Sequence, residues 1–234
     1  MKIRVLKSVF LIVFLVGYFS ANGQDWPNLK RYQKENDTLL IKPGVKNRVV
    51  FMGNSITEGW KNTHPDFFSK NPYVCRGISG QTTPQMLVRF RQDVIDLQPK
   101  VVVILAGTND IAGNTGPSTP EMILDNLKSM VELSTANNIR VVLCSVLPAY
   151  DYPWRKGLEP NIKIPQLNKL IEEYAKAAKL TYLDFFSAMS DEKNAMKTAY
   201  TYDGVHCTSA GYDVMEAMVV PAIQKSLKTK PRKK

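Results

Sequence analysis

The chain has 234 residues, 44% of them hydrophobic and 22% charged, with 13 Gly and 14 Pro. That balance fits one ordinary globular domain and excludes a disordered tail protein, a collagen-like repeat and a multi-span membrane protein. Two His and three Cys without a close Cys pair exclude a zinc finger or a cysteine-rich scaffold. The formal net charge is +10, and most of the excess lies at the two ends of the chain.

Residues 1–23 read as a secretory signal peptide, so the protein is expected to be exported, periplasmic or secreted. Lys2, Arg4 and Lys7 form a basic start, Val9 to Phe19 is apolar or aromatic apart from Gly17, and Ala21-Asn22-Gly23 supplies small residues for cleavage. About 11 apolar residues fall well short of the ~20 that a membrane span needs. No Cys follows the run to take a lipid, so no stable membrane anchor is expected. Loss of this segment lowers the charge from +10 to +7. Six of the remaining cations (Lys225, Lys228, Lys230, Arg232, Lys233 and Lys234) occupy the last ten positions. Residues 225–234 read as a solvated basic tail, and no nucleic-acid partner is expected. Cys75, Cys144 and Cys207 are odd in number and the first two sit in apolar runs, so no structural disulfide is expected.

Residues 24–46 are polar, contain Pro27, Pro43 and Gly44, and predict a lead-in segment with one short helix. Arg48–Met52 is a short apolar run ending at Gly53, as a buried parallel strand entering a loop would be. Tyr73–Cys75 is a weaker run before Gly77, and Lys100–Ala106 ends in Gly107. Arg140–Val146 ends near Pro148, and Leu180–Leu183 ends in Asp184. Helical spacing separates these runs. Met86, Leu87, Phe90, Val94 and Leu97 recur at steps of three and four after Thr83-Pro84. Ile123, Leu127, Met130, Val131 and Leu133 do the same behind a capping box read at Ser118 and Glu121. Two further helices are predicted over 164–178 and 212–227. Strand, loop and helix in regular alternation imply a parallel sheet with helices on both faces.

Ligands of such a sheet sit in the crevice outside the carboxyl ends of the strands, where the unusual residues of this chain collect. Four blocks stand there: Gly53-Asn54-Ser55-Ile56-Thr57, Gly77-Ile78-Ser79-Gly80-Gln81-Thr82, Gly107-Thr108-Asn109-Asp110 and Asp203-Gly204-Val205-His206. Ser55, just after an apolar strand and at the start of a helix, puts a hydroxyl at the positive end of a helix dipole; by itself it could equally be an N-cap. A serine nucleophile needs a base, and only His64 and His206 are present. His64 sits in a polar stretch. His206 lies three residues after Asp203, so a turn lets the carboxylate hold Nδ1–H and leaves Nε2 as the base. Asn109 can aim its amide into the crevice and Gly80 can offer an unobstructed backbone N–H, with Gly77 a competing candidate.

In order and spacing the four blocks resemble the signature blocks of the SGNH or GDSL hydrolases over about residues 48–217. The resemblance looks closest to the branch of platelet-activating-factor acetylhydrolase-like proteins and bacterial carbohydrate acetylesterases. It implies an α/β fold over residues 47–224, a three-layer α/β/α, flavodoxin-like domain with a central parallel sheet of about five strands. It further implies Ser55, Asp203 and His206 as the catalytic triad, an oxyanion hole made by Ser55, Gly80 and Asn109, and no metal or cofactor. Two departures stand out: Asn54 where the family usually has Asp, and Cys207 after His206 where many relatives carry Pro. No G-x-S-x-G elbow, P-loop or G-x-G-x-x-G stands in the chain.

The expected activity is removal of short acyl groups, O-acetyl above all, from a carbohydrate. The loop over 148–164 is polar yet contains Tyr150, Tyr152 and Trp154, and Trp60 follows the nucleophile closely. Trp60, Tyr152 and Trp154 are therefore candidates to stack on a sugar. A lysophospholipase or thioesterase with the same catalytic residues stays open, as does a glycan-binding protein without turnover.

Overall fold

The computed structural model describes residues 24–41 and 45–231; the proposed leader and the last three residues of the basic tail lie outside them. A 3-10 turn over Leu29–Tyr32 leads into α1 (Gln33–Ile41), followed by β1 (Val49–Gly53), α2 (Ser55–Thr63), α3 (Pro65–Ser69) and β2 (Tyr73–Gly77). Next come α4 (Thr83–Phe90), which runs into a π-helical turn at Arg91–Ile95, then β3 (Val101–Leu105) and the single turn α5 (Thr108–Ile111). The rest is α6 (Pro120–Ala136), β4 (Arg140–Cys144), α7 (Pro160–Ala177), β5 (Thr181–Leu183), α8 (Phe185–Met189) and α9 (Ser209–Lys228). Among the described residues no helix is long and apolar enough to cross a membrane.

The five strands form one parallel sheet in the order β2-β1-β3-β4-β5. Alternate residues of each strand face opposite layers, as the two-residue period of a strand requires. Val50, Met52, Val102, Ile104, Val141 and Leu143 pack with Met86 and Phe90 of α4, Leu127 and Met130 of α6 and Leu167 and Ile171 of α7. Val49, Phe51, Val101, Val103 and Val142 pack with Ile56 and Trp60 of α2 and Tyr212, Met215 and Val219 of α9. Burial on both faces explains why the strands read as unbroken apolar runs. The fold is the three-layer α/β/α domain that the sequence implied. Cys75, Cys144 and Cys207 are all buried free thiols.

Two local expectations need correction. The cap of α6 is Thr119, whose hydroxyl accepts from Met122 N–H at 3.3 Å, because Pro120 at the first helical position fixes the start one residue later than Ser118. A complete capping box stands instead at α4, between Thr82 and Gln85. The lead-in is docked on the loop and helix after β2: Pro27 O and Trp26 O accept from the side chains of Gln81 and Gln85. At the other end α9 continues to Lys228, so Lys225 and Lys228 belong to a helix and not to a tail.

Order β2-β1-β3 reverses direction between β1 and β3, and a crevice opens at that switch point. Gly77 at the end of β2 lets α2 approach: a Cβ there would lie 2.3 Å from Glu58 N and 2.8 Å from Asn54 O. These are backbone atoms of the helix that begins with Ser55, so they cannot yield alone. Gly77→Ala is expected to cost about 3 kcal/mol of stability, read as a lower urea midpoint; an unchanged midpoint would mean that α2 can shift freely.

Candidate active site

Residues from four separate stretches build the site. Asn54 caps α2, its Oδ1 accepting from Ile56 N–H at 3.1 Å. Ser55 is therefore the first residue of the helix and not its cap, and its hydroxyl is free to lie 2.9 Å from His206 Nε2. The acceptor oxygen that Asn54 shares with Asp is the part the loop uses. His206 Nδ1 is 2.6 Å from Asp203 Oδ2. Asp203 also accepts from the backbone N–H groups of Val205 and His206, at 2.9 and 2.7 Å. Burial opposes ionisation of Asp203, yet the bonds from His206 and Val205 outweigh it and hold the carboxyl below the usual carboxylate range. An ionised Asp203 fixes the proton on Nδ1 and leaves Nε2 as the acceptor facing Ser55.

Gly80 occupies an exposed turn between β2 and α4 with φ of +76°, in the left-handed region that favours glycine. The turn is held on both sides. Glu58 of α2 accepts from the N–H and the hydroxyl of Ser79, and Asn114 donates to Gly80 O at 3.0 Å. Gly77, the competing candidate, is buried at the end of β2 and packed against the α2 backbone. Asn109 is buried after β3, and its Nδ2 donates to Gln81 O at 3.0 Å. That bond uses one of two amide hydrogens and ties the Gly80 turn to the end of β3.

The three aromatic candidates separate. Trp60 is 1% exposed, stacked on Phe67 at 5.3 Å and bonded to Glu216 through Nε1. It lies one helical turn after Ile56 on the core stripe of α2, a spacing that already marks an inward residue. Tyr152 is 0% exposed and its hydroxyl is shared with Thr108 Oγ1 and Thr108 O. Neither ring presents a face to a ligand, and both are corrected from sugar platforms to buried supports. Tyr152 props the turn that contains Asn109. Trp154 stays exposed, stacked on Tyr152 at 5.2 Å, with its ring 6.0 Å from that of His206. Tyr202 also stacks on His206, at 5.9 Å, and is largely exposed. Tyr202 stands one residue before Asp203, a place in the sequence from which a ring can reach His206.

Cys207 follows His206 but is buried under α9, and burial pushes its thiol up to about 12, which keeps it protonated and unreactive. His64 does not reach Ser55; it is held by Glu216 and Ser209. Asp110 was not singled out by the sequence reading. It accepts from the N–H and hydroxyl of Thr83, which joins the block after β3 to the start of α4.

Residues 51–214 match the GDSL-like lipase/acylhydrolase family. A GDSL-like lipase of known structure from Bacteroides thetaiotaomicron is 52% identical, with a TM-score of 0.83 over 85% of this chain and 98% of its own. The human isoamyl acetate-hydrolyzing esterase 1 homolog is 28% identical over 213 residues, 79% of this chain and 84% of that protein. An acetylxylan esterase from Geobacillus stearothermophilus, 18% identical with a TM-score of 0.60 over 77% of this chain and 95% of its own, shares the fold. Fold and relatives together define an acyl ester hydrolase. The chain belongs to the GDSL-like lipase/acylhydrolase family.

Burial raises Asp110 from the usual 3.8 to about 6, against the bonds from Thr83 that favour its ionised form. A carboxyl raised on folding adds stability below its unfolded value and loses it as pH rises through the folded one. The stability of the wild type relative to Asp110→Asn should therefore grow by about 2 kcal/mol between pH 7 and pH 4. Urea denaturation at both pH values measures it, and a difference that is constant with pH would remove Asp110 as a titrating group.

Proposed function

We propose that the protein is an exported serine esterase that removes short acyl groups, chiefly O-acetyl, from a carbohydrate. The observation that supports the mechanism is the continuous line from Ser55 Oγ through the His206 ring to Asp203, with contacts of 2.9 and 2.6 Å. Ser55 attacks the ester carbonyl while His206 Nε2 takes its proton, and the ionised Asp203 stabilises the imidazolium. The tetrahedral oxyanion accepts from Ser55 N–H, Gly80 N–H and the remaining amide hydrogen of Asn109. His206 then returns the proton to the leaving alcohol. Water, activated by the same nitrogen, releases the acid from the acyl-enzyme.

The carbohydrate reading rests on Trp154 and Tyr202, two exposed rings beside His206. Beside them a cavity of about 260 Å³ is lined by Asp151, Lys156, Met196 and Asp203 among others. Rings stack on the apolar face of a sugar while polar neighbours bond its hydroxyls. Export rests on the basic start and apolar run of residues 1–23.

Ser55→Ala and His206→Ala should each abolish nearly all turnover of an activated acetate ester, and the double variant should be little worse than either. Asn109→Ala should lower kcat by about 100-fold with little change in KM, because its amide binds charge that develops in the transition state. Substantial turnover by Ser55→Ala would sink the mechanism, and absence of turnover in the wild type would turn the reading to a glycan binder.

Acetyl esters should be cleaved faster than octanoyl esters. Trp154→Ala should raise KM for an acetylated sugar more than for a small acetate ester. Equal effects on both substrates, or faster octanoyl cleavage, would move the assignment to a lysophospholipase or thioesterase.

A further inference from the structure

A second serine, histidine and carboxylate are hydrogen-bonded in series at the C-terminal end of α2. His64, which caps the C-terminal end of α2, has Nε2 2.8 Å from Ser209 Oγ and Nδ1 2.7 Å from Glu216 Oε1. Trp60 Nε1 donates to the same Glu216 oxygen at 3.0 Å, which fixes the carboxylate, and Asp213 lies 3.9 Å from Nδ1. With Nδ1–H given to Glu216, Nε2 is the acceptor facing the Ser209 hydroxyl. The Tyr212 ring packs beside the imidazole at 5.9 Å.

The local backbone repeats that of Ser55. Ser55 is the first residue of α2 behind the cap Asn54; Ser209 is the first residue of the 20-residue α9 behind the cap Thr208. In α9 the cap hydroxyl accepts from Gly211 N–H, and the first intrahelical bond runs from Tyr212 N–H to Thr208 O. The N–H groups of Ser209 and Ala210 precede that bond and point out of the helix end. Ser209 and Ala210 are both exposed, so an acyl donor can reach the hydroxyl from solvent.

We propose that Ser209, His64 and Glu216 form a second, independent acyl-accepting site that takes small activated esters. Ser209 Oγ bonds to the acyl carbon, the carbon–oxygen bond to the leaving group breaks, and the serine proton passes through His64 Nε2 to the departing alcohol. Glu216 holds the imidazole, and the helix end receives the oxyanion. Among the described residues no side-chain amide is bonded to Ser209 or His64, so this site reacts more slowly than Ser55.

The test uses the full chain with Ser55→Ala and a fluorophosphonate probe, which reports serine activation without requiring turnover. Ser209 Oγ bonds to phosphorus, the phosphorus–fluorine bond breaks, and fluoride leaves with the serine proton taken by His64. Peptide mass spectrometry should find the adduct on Ser209, lost in Ser55→Ala/Ser209→Ala. Labelling should slow by about 100-fold in Ser55→Ala/His64→Ala, the size of a general-base contribution. His64 also braces α2 against α9, so Ser55→Ala/Glu216→Gln, which keeps the shape of the acid, is the second variant and should also slow Ser209 labelling. An unmodified Ser209 in the Ser55→Ala chain, or labelling equally fast in Ser55→Ala/His64→Ala, would overturn the proposal.

Discussion

A guanidinium with no access to water holds the carboxyl ends of the first two strands in place. Arg89 of α4 is 0% exposed, and its nitrogens donate to Gly53 O, Arg76 O, Gln81 Oε1 and Asp93 Oδ2. Gly53 is the last residue before Asn54 and Ser55, Arg76 ends just ahead of the Gly80 turn, and Gln81 is part of that turn. One side chain thus sets the separation between the start of α2 and the loop across the crevice. Burial presses Arg89 toward its neutral form, and the arrangement survives because Asp93 supplies the opposite charge at 2.8 Å. Breaking such a buried pair leaves a charge without a partner, a far larger cost than losing a surface ion pair.

The same network gives the lead-in a structural purpose. Asn36 of α1 donates to Asp93 at 2.7 Å and accepts twice from the buried Arg76. Tyr32 donates to Gly77 O, and its ring lies 4.5 Å from the Arg76 guanidinium. A polar stretch with little hydrophobic pattern of its own is therefore part of the support under the crevice. Its hydrogen bonds satisfy charges that the α/β layers would otherwise bury alone.

The crevice depends on helix ends as much as on strands. α2 begins with Ser55 and is capped at its other end by His64, which grips Glu216 of α9; α9 begins three residues after His206. Tyr212 OH closes the contact by donating to Ile56 O at 2.9 Å. The serine and the histidine facing it are thus placed by two helices that are bonded to one another through side chains of the first two turns of α9. Groups held this way need little rearrangement when charge develops between them.

Hydrophobic period and punctuation in the sequence determined the five strands, the alternation with helices and the four blocks at the carboxyl ends, because strand and helix periods are local properties. A parallel sheet gathers its strand ends on one side whatever the side chains do, which drew attention to Ser55, Gly80 and Asn109 after β1, β2 and β3; the resemblance of the four blocks to the SGNH hydrolases joined Asp203 and His206, ahead of the last helix, to them. Only the tertiary structure decided which aromatic rings face out. Trp60 already has the spacing of a core residue, but Tyr152 and Trp154 stand two residues apart in one loop, and contact with Thr108 buries the first while the second is left beside His206. Arg89, Glu58, Asp110 and His64 were invisible as partners for the same reason. His64 and Ser209 are 145 residues apart and Trp60 and Glu216 156, and a hydrogen bond across that separation exists only once the layers have packed and fixed which faces meet.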